Sequence, residues 1–199
     1  MMKLVVATHN RDKIKEIKAI LKDLPFEVMS QKDVGFDEEV IEDGVSFPAN
    51  ALIKAKAVHP YCPDAYVMAD DSGLCVDALG GAPGIYSSRF AGEETDYPTK
   101  FKYLWDLLAS VDPDDWTARF ICAVAVVRPD GSAFTVLGEM AGCITDTPRG
   151  QNGFGYDPIF YLPNLLVTSA ELPPELKNMC SHRGVAVRKM AKKLLKETK

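Results

Sequence analysis

A chain of 199 residues with 47% hydrophobic and 26% charged residues has the composition of a folded globular protein, not a disordered or fibrous one. Its formal net charge of −5 argues against a general affinity for polyanions such as nucleic acid or an acidic membrane face, so phosphate binding would need a local cluster of cations. Five scattered cysteines with no C-x-x-C pair read as reduced buried thiols, and three histidines without metal spacing argue against a zinc site. The N-terminus carries no secretory signal and no apolar run approaches the ~20 residues of a membrane span, which sets the cytoplasm as the expected location.

In chain order, a strand is expected over Lys3 to Ala7, then a polar loop, then a helix with Ile14, Ile17, Ile20 and Leu21 at helical spacing. A weak strand follows over Glu27 to Gln31. Ser46 is placed to cap a second helix, with Pro48 in its first turn and His59-Pro60 ending it near Val58. On that helix Ala49, Leu52, Ile53 and Ala57 are expected to face the core, with Phe47, Asn50 and Lys54 sharing another face. A buried strand over Tyr66 to Ala69 is expected to end in a turn, Asp70-Asp71-Ser72-Gly73. A helix from about Pro98 sets Phe101, Leu104, Leu107 and Leu108 on one side. Arg119 to Val127 and Ala133 to Met140 read as a hairpin around Arg128-Pro129-Asp130-Gly131-Ser132. A short aromatic strand near Ile159 to Tyr161 precedes a terminal helix, whose Val187, Met190, Ala191, Leu194 and Leu195 form an apolar stripe. Strands and helices mixed in this way, with a hairpin and no linker or repeat, predict one α/β domain over 1–199 built on a mixed sheet.

Four segments carry chemistry. Arg11, Lys13 and Lys15 crowd a helix start, where the macrodipole disfavours cations unless an anion binds there; the alternative is Asn10 as a plain N-cap with solvated basic residues beyond it. The adjacent carboxylates of Asp70 and Asp71 repel unless a cation or proton intervenes, and hard oxygen donors suit Mg²⁺, with Glu42 as a further oxygen. A hydrated acidic turn is the competing reading. In Gly150 to Pro158, glycines set around Phe154 let a backbone approach a flat ligand that stacks on the ring, or form a structural turn whose aromatics join the core. Lys177 and Ser181-His182-Arg183-Gly184 place cations at another helix start, whereas Arg188, Lys189, Lys192, Lys193 and Lys196 read as a solvated helix face.

Together, Thr8-His9-Asn10-x-x-Lys13, Phe47-x-x-Asn50-Ala51-x-x-Lys54-Ala55, Ala69-Asp70-Asp71-Ser72-Gly73-Leu74, Gly80-Gly81-Ala82-Pro83-Gly84-Ile85-Tyr86-Ser87, Phe154-Gly155-Tyr156-Asp157-Pro158 and Ser181-His182-Arg183-Gly184 resemble the inosine triphosphate pyrophosphatase family, in family order over nearly the whole chain. The resemblance implies an elongated, mixed-sheet, two-lobed α/β fold with the active site in the central cleft. It implies an enzyme that hydrolyses ITP, dITP and XTP to the monophosphate and pyrophosphate with Mg²⁺, as a homodimer. By the same resemblance, Thr8, His9, Asn10, Arg11, Asp12 and Lys13 bind the triphosphate, and Asp71 is the proton acceptor for the attacking water. Glu42 and Asp71 hold the metal. Asn50, Lys54, Ser72, Phe154, Gly155, Tyr156, Asp157, Lys177, His182 and Arg183 complete the substrate contacts. Position 9 is His where many members have Gly, and Pro48-Ala49 departs from the usual pair ending in Glu.

That chemistry is physically coherent. A polyphosphate of about −4 charge needs countercharge, which Mg²⁺ and lysines supply. A 6-oxo purine presents an acceptor where adenine presents a donor, so fixed donors near His182 and Arg183 would discriminate between them. Two rival readings remain at this level: a Maf-like nucleotide pyrophosphatase with another base preference, and a nucleotide sensor without turnover.

Overall fold

The computed structural model describes residues 1–197. In chain order it contains β1 (Met2–Val6), α1 (Arg11–Leu21), β2 (Phe26–Ser30), α2 (Phe47–Val58), β3 (Tyr66–Val76), α3 (Tyr97–Leu108), β4 (Thr117–Val127), β5 (Ala133–Ile144), β6 (Phe160–Leu162), β7 (Val167–Thr168), α4 (Pro174–Cys180) and α5 (His182–Glu197). The strands form one sheet in the order β2-β1-β3-β4-β5-β6-β7. β1 pairs in parallel with β2 and β3, while β6 pairs antiparallel with β5 and β7. The sheet is therefore mixed and the class α/β, as the sequence predicted. Among the described residues no helix is long and apolar enough to cross a membrane.

The chain divides into two compact units. The first takes Met1–Asp71, Cys122–Gly138 and the segment from His182 onward; the second takes Ser72–Ile121 and Glu139–Ser181.

In the first unit, the α5 stripe of Val187, Met190, Ala191 and Leu194 packs with Ile17 and Leu21 of α1, Leu4 and Val6 of β1 and Met68 of β3. Each of these side chains except that of Ala191 contributes about 1.5–3 kcal/mol by leaving water. The five basic residues from Arg188 to Lys196 on α5 stay exposed, the solvated face expected of them. The β4–β5 turn closes through Arg128 N–H to Ser132 O at 2.8 Å, and Gly131 adopts the positive φ (+80°) that the turn requires. Ser46 Oγ accepts from Ala49 N at 3.3 Å, so the predicted cap of α2 forms.

Two expectations fail here. The buried face of α2 is Phe47, Asn50, Ala51, Ala55 and Val58, not Ala49, Leu52, Ile53 and Ala57. Asn50 turns inward because polar partners await it there, so hydrophobic periodicity misplaced the face. The strand expected to end at Ala69 continues to Val76 through Asp70-Asp71-Ser72-Gly73. Local turn chemistry loses to sheet pairing, which supplies the backbone of an interior strand with partners a turn would not.

In the second unit, Asp96 caps α3 through Thr99 N at 3.0 Å, and Phe101, Leu104 and Leu108 join Leu74, Val76, Phe120 and Phe160 in a separate core. Leu107, expected with them, is 41% exposed. Tyr156 stands edge-on to Tyr97 with centroids 5.3 Å apart, and Phe120 meets Phe160 at 4.4 Å. None of the five cysteines, all among the described residues, is in a disulfide; Cys75 and Cys122 are buried and the other three half-buried.

Candidate active site

The acidic pair lies on β3, where successive side chains point to opposite faces. The two carboxylates therefore meet different surroundings. Asp70 is fully buried, and its Oδ2 accepts from Arg183 Nε at 3.2 Å and Nη2 at 3.0 Å, with Lys13 Nζ 3.2 Å away. Burial opposes its charge, but Lys13, Arg183 and Lys54 outweigh that and hold Asp70 well below the usual carboxylate range. Asp71 accepts from Asn50 Nδ2 at 3.2 Å and faces Lys54 Nζ at 3.4 Å. Burial raises its pKa, and the Glu42 charge adds to that against the pull of Lys54, Lys13 and Asn50.

Lys54 Nζ bridges the two candidate metal ligands, 3.0 Å from Glu42 Oε2 and 3.4 Å from Asp71 Oδ1. Its burial works against its charge, yet Asp71, Asp70 and Glu42 leave its pKa raised. Glu42 sits in an irregular stretch between β2 and α2, whose far end is tied by Gly44 N to Asn50 Oδ1 at 2.8 Å. Asn50 thus joins the Glu42 stretch to Asp71 from inside the fold. Among the described residues no group of three or more His, Cys, Asp or Glu side chains is arranged to hold a metal. Two carboxylates gathered round one cationic Nζ nonetheless fit Mg²⁺, which commonly takes one or two carboxylates and completes its shell with phosphate oxygens and water.

The loop before α1 is organised by Asn10, whose Oδ1 accepts from Asp12 N at 2.9 Å and Lys13 N at 3.0 Å. Asn10 is therefore the N-cap of α1, and two of the helix N–H groups are engaged by it. Thr8 Oγ1 accepts from Asn10 N at 3.2 Å; Arg11 and Asp12 are exposed. Lys13 turns toward Asp70. His9 lies 3.0 Å from the Glu38 carbonyl oxygen.

Arg183 stands between two carboxylates. Its side chain is buried, and besides Asp70 it donates from Nη1 to Glu16 Oε2 at 2.6 Å. Burial disfavours its charge, but Asp70, Cys122 and Glu16 carry its pKa upward. Glu16 was not singled out from the sequence. The available signal was its position three residues after Lys13, on the same side of α1. His182, the first residue of α5, is also buried.

The second unit holds its own cluster. Lys177 Nζ lies 2.5 Å from Asp157 Oδ2 and 4.9 Å from the centroid of the Phe154 ring, and the same carboxylate oxygen accepts from Phe154 N at 2.8 Å. Lys177 and Asp157 are both buried, while Phe154 is half-buried. Gly153 has φ +72°, and a Cβ there would strike the Asp157 carboxylate, so the approach needs glycine. Tyr156 goes to the core and donates to Ser87 O at 3.0 Å. The structural reading of this loop holds for Tyr156, which is core, while Phe154 is half-buried. Gly155 is half-buried beside Tyr97, and Ser72 is half-buried in β3.

A mixed sheet whose strand carries an unevenly buried carboxylate pair beside lysines and a capped helix start defines a class of phosphate-handling α/β proteins. Comparison with known proteins narrows it. A profile of the Ham1 family matches residues 4–193, and the chain belongs to that family. The dITP/XTP pyrophosphatase of Leuconostoc mesenteroides is 44% identical over 197 residues, covering 97% of this chain and 96% of that one. That of Geobacter sulfurreducens is 47% identical over 187 residues, 94% of each chain. Among solved structures, a HAM1 protein from Coxiella burnetii superposes with TM-score 0.89 at 36% identity, covering 98% of this chain and all of the other. The nucleoside-triphosphatase / dITP/XTP pyrophosphatase of Mycobacterium abscessus gives 0.76 at 42% identity, covering 95% and 98%.

Proposed function

We propose that this chain is a nucleoside triphosphate pyrophosphohydrolase that converts dITP, XTP and ITP to the nucleoside monophosphate and pyrophosphate, clearing non-standard purines from the nucleotide pool. The observation that carries this reading is the opposite bias of two neighbouring carboxylates. Asp70 pairs with Arg183 and Lys13 and is held below the usual carboxylate range, while Asp71 meets Asn50 and Lys54 and is pushed up, by burial first. Environments that push paired titratable groups apart separate structural from proton-handling roles.

In the mechanism we assign, a water attacks the α-phosphorus. The new P–O bond forms as the bond to the bridging α–β oxygen breaks, and pyrophosphate leaves. Asp71 accepts the water's proton, which a carboxylate within hydrogen-bond reach of that water can do. Asn50 and Lys54 hold the Asp71 carboxylate in place from its two oxygens. Glu42 and Asp71 would hold Mg²⁺, which when bound supplies countercharge and polarises the phosphate oxygens. We assign the Thr8–Lys13 loop and Lys54 to the triphosphate, and Phe154, positioned by Lys177 and Asp157, to stacking on the base. Donation to the 6-oxo group is assigned to His182 rather than Arg183, whose Nε, Nη1 and Nη2 already serve Asp70 and Glu16. Ser72, Gly155 and Tyr156 are assigned to shaping the nucleotide site. One domain over residues 1–199, a homodimer and a cytoplasmic location belong to the same proposal.

The test is turnover of ITP, dITP, XTP, GTP, ATP, dUTP and dTTP with Mg²⁺, scored for pyrophosphate against orthophosphate. Pyrophosphate from the first three is expected, and none after EDTA. Orthophosphate as product, or ATP hydrolysed as fast as ITP, refutes the assignment.

A further inference from the structure

We propose that His9 is a positioning residue for Glu42, a hydrogen-bonded strap between the Thr8–Lys13 loop and the stretch that carries that carboxylate. The proposal rests on the assignment of Glu42 to the metal and adds the means by which this chain sets it in place.

Residues 36–44 contain no helix or strand, so nothing regular fixes Glu42. One end of the stretch is secured by Gly44 N on Asn50 Oδ1. At the other end His9 Nε2 is 3.0 Å from Glu38 O. A carbonyl has no hydrogen to give, so Nε2 must carry the proton and donate it. Gln31 Nε2 lies 2.8 Å from the same nitrogen; two donors do not face each other, so this tautomer goes with the Gln31 amide turned end for end, its oxygen toward His9. Asp37 is 3.7 Å from Nδ1 and is itself held by Lys32 at 2.9 Å. Tyr61 donates to the Glu38 carboxylate at 3.3 Å and meets Phe36 edge-on at 5.1 Å. The stretch bearing Glu42 is thus fastened near residues 36–38 and at residue 44. His9 is the fastening that comes from the loop assigned to the triphosphate. With glycine at position 9, that link would be missing, and a carboxylate on an unfastened loop would spend less time where a cation needs it.

The experiment compares wild type, His9→Ala and His9→Gln, the last retaining a donor without a ring. Amide hydrogen exchange of metal-free, nucleotide-free protein reports the strap directly and needs no turnover. In H9A, exchange across residues 36–44 is expected to rise by about fivefold, the size of one lost, partly exposed hydrogen bond, with α5 unchanged. The Mg²⁺ concentration for half-maximal dITP turnover is expected to rise by a similar factor, more than kcat at saturating Mg²⁺ falls. H9Q should restore both. Equal exchange in H9A and wild type overturns the proposal. So does a raised KM for dITP with an unmoved Mg²⁺ midpoint, which would make His9 a direct substrate contact, and so does failure of H9Q to restore either quantity. Should wild type release no pyrophosphate from dITP, the functional assignment falls, and the exchange comparison still decides whether the strap exists.

Discussion

Replacing Arg183 with Met tests the electrostatic core of the site most sharply. The guanidinium is 1% exposed and stands 3.0 Å from Asp70 Oδ2. At an effective dielectric near 20, that separation corresponds to a gross attraction of about 5.5 kcal/mol. Returning the guanidinium to water in the comparison recovers several kcal/mol of desolvation, and Lys13 remains 3.2 Å from the stranded carboxylate. The expected net loss is therefore about 3 kcal/mol, the lower end for breaking a buried pair from one side. For a domain of this size that is a fall in Tm of roughly 6–12 °C, measured by calorimetry and checked by urea titration. Replacing both partners, Asp70→Leu with Arg183→Met, should regain part of it, because the fully buried carboxylate is no longer stranded, although Lys13 and Glu16 each lose a partner. A Tm within about 2 °C of wild type for R183M, with a large rise in KM for dITP, would refute this. It would return Arg183 to the base-reading role that the motif alone implied.

Three other outcomes follow from the same geometry. Asp71→Asn should cost on the order of 10²–10⁴ in kcat with KM little moved, since the amide keeps the shape but accepts no proton; steady-state kinetics on dITP decide. Phe154→Ala should weaken binding of a non-hydrolysable dITP analogue by ~1–3 kcal/mol in titration calorimetry, and an unchanged Kd would make the ring a structural element only. Cys122 is fully buried, and burial together with the nearby Asp70 charge pushes its thiol up to about 12. It should resist a thiolate-directed reagent in native protein at pH 8 and react only on unfolding, as mass spectrometry of labelled peptides would show.

The elements were legible where local chemistry and packing agree. Ser46 with Pro48 marked the start of α2, Arg128 to Ser132 marked the β4–β5 turn, and the α5 stripe lies buried where its spacing put it. Legibility failed where a distant partner decided the outcome. Asn50 reads as a surface residue until Gly44 and Asp71 are seen around it. Asp-Asp-Ser-Gly reads as a turn until its backbone is paired in the sheet. A basic residue heading α5 suggests an anion from outside, whereas Arg183 found its carboxylates at Asp70 and Glu16, 113 and 167 residues away in sequence. Among the candidate residues, the motif named the groups that the structure gathers around β3, but not which of them face inward.

That β3 carries both carboxylates as successive residues has an evolutionary corollary. A loop-borne base can survive insertions nearby, because slack in the chain absorbs them. Here one residue gained or lost between the parallel pairing of Leu4 with Tyr66 and the acidic pair would turn each carboxylate to the opposite side of the sheet. An insertion would carry Asp70 to the position beside Asn50 and Lys54 and Asp71 one position past it; a deletion would carry Asp71 to the position beside Arg183 and Asp70 one position short of it. Point substitutions can wear this site down gradually, but a frame-preserving indel in the strand would part both acids from their partners at a stroke.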